Sequence, residues 1–166
     1  YVMSLNTHIG VKPNLVTKKE LTGYKLESPV LDSFQFNQIL STKNNWQRNL
    51  EINLSYSKSG SLKESLIILA DKCISEVASG INVIILNDEN IQKDKLVIPA
   101  VLAIGAIHNR LVDAGLRHQV DLIVATATAR DSHHFCVLLG YGATAIYPYL
   151  SYQLIRSEEH TSELQS

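Results

Sequence analysis

The stretch DSHHFCVLLGYGATAIYPYL, Asp131 to Leu150, gathers residue types that often do chemistry: two adjacent histidines, a cysteine and a Gly-Tyr-Gly. His133 and His134 could ligate a metal. Neighbouring side chains on a helix point about 100° apart, however, and rarely chelate together. Neither histidine has an acidic residue four positions on, and no HExxH occurs. No metal residue is therefore expected. Cys136 could be a nucleophile, but Phe135, Val137, Leu138 and Leu139 surround it in sequence. Burial raises a thiol's pKa and blunts it. Gly140 and Gly142 look like a phosphate loop, yet they close a helix rather than open one. A helix C-terminus has the wrong dipole sign for an anion. The expected role of one of them is to stop the helix and let it approach the next strand.

Two charged pairs follow apolar runs. Arg130 and Asp131 come after DLIVATATA, and Asp88 and Glu89 end and follow NVIILND. Each pair could meet a ligand, or could fix a loop or a domain interface through a salt bridge. His108 and His118 flank a helix end, where surface or capping roles are expected. No nucleophile–base pair, cofactor loop or cluster-ligand set is complete. The residues themselves thus imply no catalytic, cofactor-binding or metal site.

The elements that must hold these residues are legible from Leu50 onward. LEINLSYS alternates Ile52, Leu54 and Tyr56 on one side, as a strand does. Ser61 with Glu64 has capping-box spacing, and Leu62, Leu66, Leu69, Cys73 and Val77 recur at helical spacing up to Gly80. NVIILND reads as a strand buried on both faces. IPAVLAIGAIHNRLVDAGL is a second long helix, with Pro99 near its start and Gly115 near its end. DLIVATATA is another buried strand, HHFCVLLGYG a shorter helix and TAIYPYL a final strand. This alternation predicts an α/β fold of repeated βα units on a parallel sheet, part of a TIM-barrel-like or doubly wound domain. Functional groups in both folds gather at the carboxyl ends of strands. Residues 1–49 read as an extended, wrapping N-terminal segment punctuated by Pro13, Gly23 and Pro29, and residues 50–155 as the βα core. Ser28 to Phe36 reads as the start of a short helix, and STKNNWQRN as an exposed loop anchored by Trp46.

With 166 residues, 45% hydrophobic and 19% charged, the chain can bury a core as an ordinary soluble domain. A net charge of −1 gives no reason to expect nucleic acid or an acidic membrane surface. No apolar run reaches the roughly 18 residues of a membrane helix. Cys73 and Cys136 form no zinc spacing and are expected to be reduced, buried thiols in a cytoplasmic setting. The first residue, Tyr1, suggests a start inside a longer reading frame. RSEEHTSELQS, Arg156 to Ser166, is polar and abrupt. It resembles the translation of a sequencing adapter, is set apart from the fold, and is expected to add nothing to stability.

Three segments in order, ESPVL, IPAVLAIGAIHNRLVDAGLR and HHFCVLLGYGATAIYPYL, resemble the central domain of the glutamate synthase large chain. The resemblance covers nearly all of residues 10–155. It implies a linking domain without catalytic residues, set between a glutamine amidotransferase domain and a barrel that binds FMN and a [3Fe–4S] cluster. In that family ammonia passes internally to 2-oxoglutarate, and the imine is reduced to glutamate. A small NAD(P)H-oxidising subunit or ferredoxin is the implied electron partner. Asp88, Arg130, His133 and His134 become candidates for a domain interface or for the wall of the ammonia path. A stand-alone scaffold and a barrel enzyme for a small phosphorylated ligand are the alternatives.

Overall fold

A computed structural model describes residues 4–11, 22–41 and 46–163. Two strands, β1 (Thr7–Val11) and β2 (Thr22–Leu26), pair antiparallel and precede helix α1 (Ser33–Ser41). The core then runs β3 (Asn49–Asn53), β4 (Ser55–Ser57), α2 (Leu62–Ala78), β5 (Val83–Asn87), β6 (Lys95–Val97), α3 (Ala100–Asp113), β7 (Asp121–Ala125), α4 (Ser132–Gly140), β8 (Ala145–Tyr147) and α5 (Tyr149–Glu163). Strands β3, β5, β7 and β8 form one parallel sheet in that order, joined by α2, α3 and α4. The expected βα repeat is therefore present. Strand order never reverses, as in a stretch of barrel wall, but the described strands do not close one.

The apolar runs of β5 and β7 have a direct cause. Ile84, Leu86, Leu122 and Val124 pack against α2, α3 and α4 through Cys73, Val77, Ile104, Ile107, Leu111 and Leu138. Val83, Ile85, Ile123 and Ala125 pack on the opposite face against Ile9, Leu26, Leu31, Phe36 and Ile39. The N-terminal segment thus forms a third layer over the sheet, with β1 and β2 as a hairpin. Burial on both faces removes the need for alternation. Tyr24 and Trp46 meet edge-to-face with ring centroids 5.7 Å apart, so Trp46 does anchor its segment. Gln47 beside it is buried rather than loop-exposed, donating to the Ile39 carbonyl at 2.9 Å. Pro13 and residues 42–45 lie outside the described residues.

Several boundaries differ from the sequence reading. Residues 29–31 run extended against Ile146, so α1 starts only at Ser33, where Asp32 and Gln35 cap reciprocally: the Gln35 N–H donates to Asp32 Oδ1 at 2.7 Å, and the Asp32 N–H to Gln35 Oε1 at 3.1 Å. Ser61 is the N-cap of α2, but its side chain makes no capping bond. The alternating run after Leu50 splits at Leu54, because Ser55–Ser57 leaves the sheet to pair with Lys95–Val97, a strand the polar sequence concealed. The third apolar run stops as a strand at Ala125 rather than Ala129. Pro148 ends β8, so Tyr149 and Leu150 begin a helix instead of finishing a strand. That helix crosses the boundary drawn at residue 156, and Arg156 Nη2 donates to Ser33 Oγ at 2.9 Å.

Candidate functional site

The carboxyl ends of the strands bring Asp88, Thr126, Thr128 and Tyr149 together. Asp88, just past β5, is 7% exposed. Its Oδ2 accepts from Thr126 Oγ1 at 2.5 Å, and its Oδ1 accepts from the Ala127 N–H at 3.0 Å and from the Tyr149 hydroxyl at 2.8 Å. Burial, then the bond to Asp88, pushes the Tyr149 phenol well above its usual value, so it stays a donor. The carboxylate therefore clamps β5, the turn after β7 and the start of α5. Its oxygens already hold three donors, which leaves little to offer a ligand. Thr126 has spent its hydroxyl proton on Asp88. Thr128 Oγ1, 2.9 Å away, consequently donates to it and extends the network outward.

At the end of that network lies an apolar cleft of about 310 Å³ between the starts of α3 and α4. Pro99, Ala100, Val101, Ala129, Val137 and Leu138 line it, with Thr128 and His134 as its polar members. Asp131 positions His134 by capping α4: its Oδ1 accepts the His134 N–H at 2.9 Å. That bond, first among several causes, holds the Asp131 carboxyl below its usual range. The Arg130 N–H in turn donates to His134 Nδ1 at 3.3 Å. Arg130, His133 and His134 are exposed, and the two imidazoles stand 6.2 Å apart at 53°. Of the four candidates, Asp88 is locked in a buried clamp and His134 alone lines the cleft. Arg130 and His133 lie on the surface beside it.

The amino ends of the strands carry a second polar set, of which the sequence reading named His108 but not Arg117 or Asp121. Arg117 donates through Nε to His108 Nδ1 at 3.1 Å, through Nη1 to the Val120 carbonyl at 2.7 Å and through Nη2 to the Gly142 carbonyl at 2.8 Å. Asp121, 1% exposed, accepts the Gly10 N–H at 2.8 Å and so ties the hairpin to β7. Its signal was available, since an acidic residue opened a wholly apolar run. Gly142, not Gly140, is the helix-stop glycine. Its N–H donates to the Leu139 carbonyl and the Ala143 N–H to the Leu138 carbonyl, both at 3.0 Å, with φ at +112°.

The family described as glutamate synthase central domain matches residues 1–166. The ferredoxin-dependent glutamate synthase of Pyropia yezoensis is 35% identical over 93% of this chain and 10% of its own length. The NADPH glutamate synthase large chain of Bacillus subtilis is 34% identical over 95% of this chain and 10% of its own. The ferredoxin-dependent enzyme of Antithamnion sp. is 31% identical over 99% and 11%. The chain belongs to the glutamate synthase central domain family. It spans about a tenth of the length of these relatives.

As a glutamate synthase central domain, the chain can be tested for fit to the groups implied for the parent enzyme. Among the described residues no three His, Cys, Asp or Glu side chains gather to hold a metal. Cys73 is buried in α2 and its thiol is pushed up to about 12, chiefly by burial. Cys136 is exposed, against expectation, because α4 turns Leu138 inward and carries Cys136 on its outer side. Neither thiol fits an iron–sulfur cluster. No lysine or arginine lines the apolar cleft, so a flavin phosphate has no cationic partner there. Among the described residues no helix is long and apolar enough to cross a membrane.

Proposed function

We propose that this chain is the linking domain of a glutamate synthase, set between the glutamine amidotransferase domain and the domain that holds FMN and the [3Fe–4S] cluster. The parent enzyme is an oxidoreductase that forms glutamate from 2-oxoglutarate, with electrons from a small NAD(P)H-oxidising subunit or ferredoxin. The observation that carries this reading is the family match over residues 1–166, in a chain that spans about a tenth of enzymes named glutamate synthase.

The domain's own contribution is spacing and containment. Ammonia becomes ammonium in water at neutral pH and then ceases to be a nucleophile. A water-poor apolar wall keeps it neutral. The cleft between α3 and α4 has the chemistry for such a wall, since its lining is aliphatic apart from Thr128 and His134. Asp88 keeps its charge away from that lining because its oxygens are held by Thr126, Ala127 and Tyr149. Arg130 and His133, exposed beside the cleft, are suited to meeting a neighbouring domain.

The test is His134→Trp in the full-length synthase that carries this domain, because an indole from that exposed rim fills the cleft without replacing a core side chain. Glutamate formed per glutamine hydrolysed should fall below one. Glutamate formation from added ammonium should stay unchanged. A ratio that remains at one removes the cleft from the ammonia path.

A further inference from the structure

The sheet's two edges are treated differently. At β8, the Leu31 N–H donates to the Ile146 carbonyl and the Ile146 N–H to the Pro29 carbonyl, both at 2.8 Å. Val30 bridges Ile146 in parallel, so an extended triplet covers that edge. Strand β3 forms the opposite edge. The Val83 N–H donates to the Arg48 carbonyl, and the Leu54 N–H to the Asn87 carbonyl. These two bonds fix the phase of the ladder: even-numbered residues face β5, while Asn49, Glu51 and Asn53 turn their N–H and C=O groups outward. Those six groups have no hydrogen-bond partner among the described residues. A groove of about 680 Å³ runs beside them, lined by Phe34, Asn37, Gln38, Leu40 and Ser41 of α1 and by Glu51. Phe34 is 75% exposed there.

We propose that the open edge of β3 receives one extended strand from the part of the parent chain outside these 166 residues, carrying a lysine or arginine beside Glu51 and an apolar side chain against Phe34. This rests on the linking-domain reading. An open edge is a template for pairing, and folded proteins normally pair, cover or charge it. A second copy of this chain fits poorly. Antiparallel pairing centred on the three open residues sets one Glu51 carboxylate against the other, and like charges directly opposite destabilise a sheet. The relatives supply the alternative, since about nine-tenths of each lies beyond the matched segment.

Backbone hydrogen exchange, read at single residues in the full-length synthase, tests this directly. A seated strand protects Glu51 and Asn53 to within about tenfold of Leu50 and Ile52, because both sets of amides are then bonded. Exchange about a hundredfold faster at Glu51 and Asn53 than at their even-numbered neighbours shows a bare edge and overturns the proposal. Glu51→Pro provides a second arm. It removes one outward N–H and blocks the incoming strand, and although it costs the Asn87 Nδ2 bond to Glu51 Oε1, it leaves the backbone ladder between β3 and β5 intact. Faster exchange at Asn53 with Leu50 and Ile52 unchanged supports the strand. No change at Asn53 counts against it. Even protection supports the strand whatever the glutamine-coupling assay gives, and alternating protection removes it while the linking-domain reading stands.

Discussion

Each end of the parallel sheet carries an arginine, a histidine and an aspartate, and the two sets behave in opposite ways. At the amino end, Arg117 is half-buried and gives bonds to three acceptors on separate segments, His108 receives one of them, and Asp121 is sealed in by Gly10. At the carboxyl end, Arg130, Asp131 and His134 are exposed, and Asp131 spends one oxygen on a helix cap. The residue types are the same, so type alone does not mark function. What separates the sets is how many donors and acceptors the backbone brings to each group. A saturated set holds elements together, whereas an unsaturated one remains free to meet something else. Asp88 is the instructive exception, since it sits at the carboxyl end but is bonded like the set at the amino end.

The largest effect should come from treating Asp88 and Asp131 alike. Asp88→Ala strands Thr126, the Ala127 N–H and the Tyr149 hydroxyl without their acceptor in a buried site, at a cost of about 3 kcal/mol or more. Asp131→Ala removes one exposed cap, whose donor water can then satisfy, and should cost clearly less. Denaturant midpoints measured on both variants settle the order. Equal losses would mean that the clamp and the cap are not different in kind.

A smaller contrast lies within one helix end. A Cβ on Gly142 would sit 2.3 Å from His108 Nδ1 at a φ of +112°, and Arg117 keeps that imidazole from moving away. Gly142→Ala should therefore cost about 2 kcal/mol. Gly140 has nothing within 4 Å of its would-be Cβ. Gly140→Ala should be neutral or stabilise by up to about 1 kcal/mol. Thermal melts of the pair would show whether Gly142 is held by this contact, and matching shifts would reject it.

These contrasts also mark what was legible beforehand. The parallel core was readable because β5 and β7 must be apolar on both faces and the helices that precede them, α2 and α3, keep a helical period. That Gly140 or Gly142 stops a helix was readable too, but the choice between them depended on His108, some thirty residues away, and so on tertiary packing. Strand β6 was not readable, because Lys95, Leu96 and Val97 are all exposed and give no alternation. The exposure of Cys136 was misread because its neighbours in sequence are apolar, whereas a helix separates i from i+2 onto different sides. For the candidate site, position at strand ends brought Asp88 and His134 to the same end of the sheet, one bonded in a clamp and the other lining the cleft. Saturation of Asp88 required knowing that Tyr149 starts a helix, which the strand-like TAIYPYL concealed.

The subtlest test of the comparison is pH. Burial, and then the nearby Arg117 charge, lowers the His108 pKa from its ordinary 6.5. The neutral ring accepts the Arg117 Nε–H, and protonation would turn that acceptor into a second cation beside the guanidinium. A lowered folded-state pKa makes this contribution fully present above the ordinary histidine value and lost as pH falls through the folded value. Stability should thus decline on acidification from about pH 7. Asp121 and His118 share the same cleft, so the slope alone does not assign the titration. His108→Gln does, because glutamine keeps an acceptor for Arg117 without titrating, and Asp121 and His118 are unchanged and cancel in the comparison. The variant's unfolding free energy should be flatter over that window. The lowered Asp131 carboxyl titrates below 3.8, outside it. Identical slopes in the two proteins would place the pH dependence elsewhere and leave the amino-end cluster a purely geometric latch.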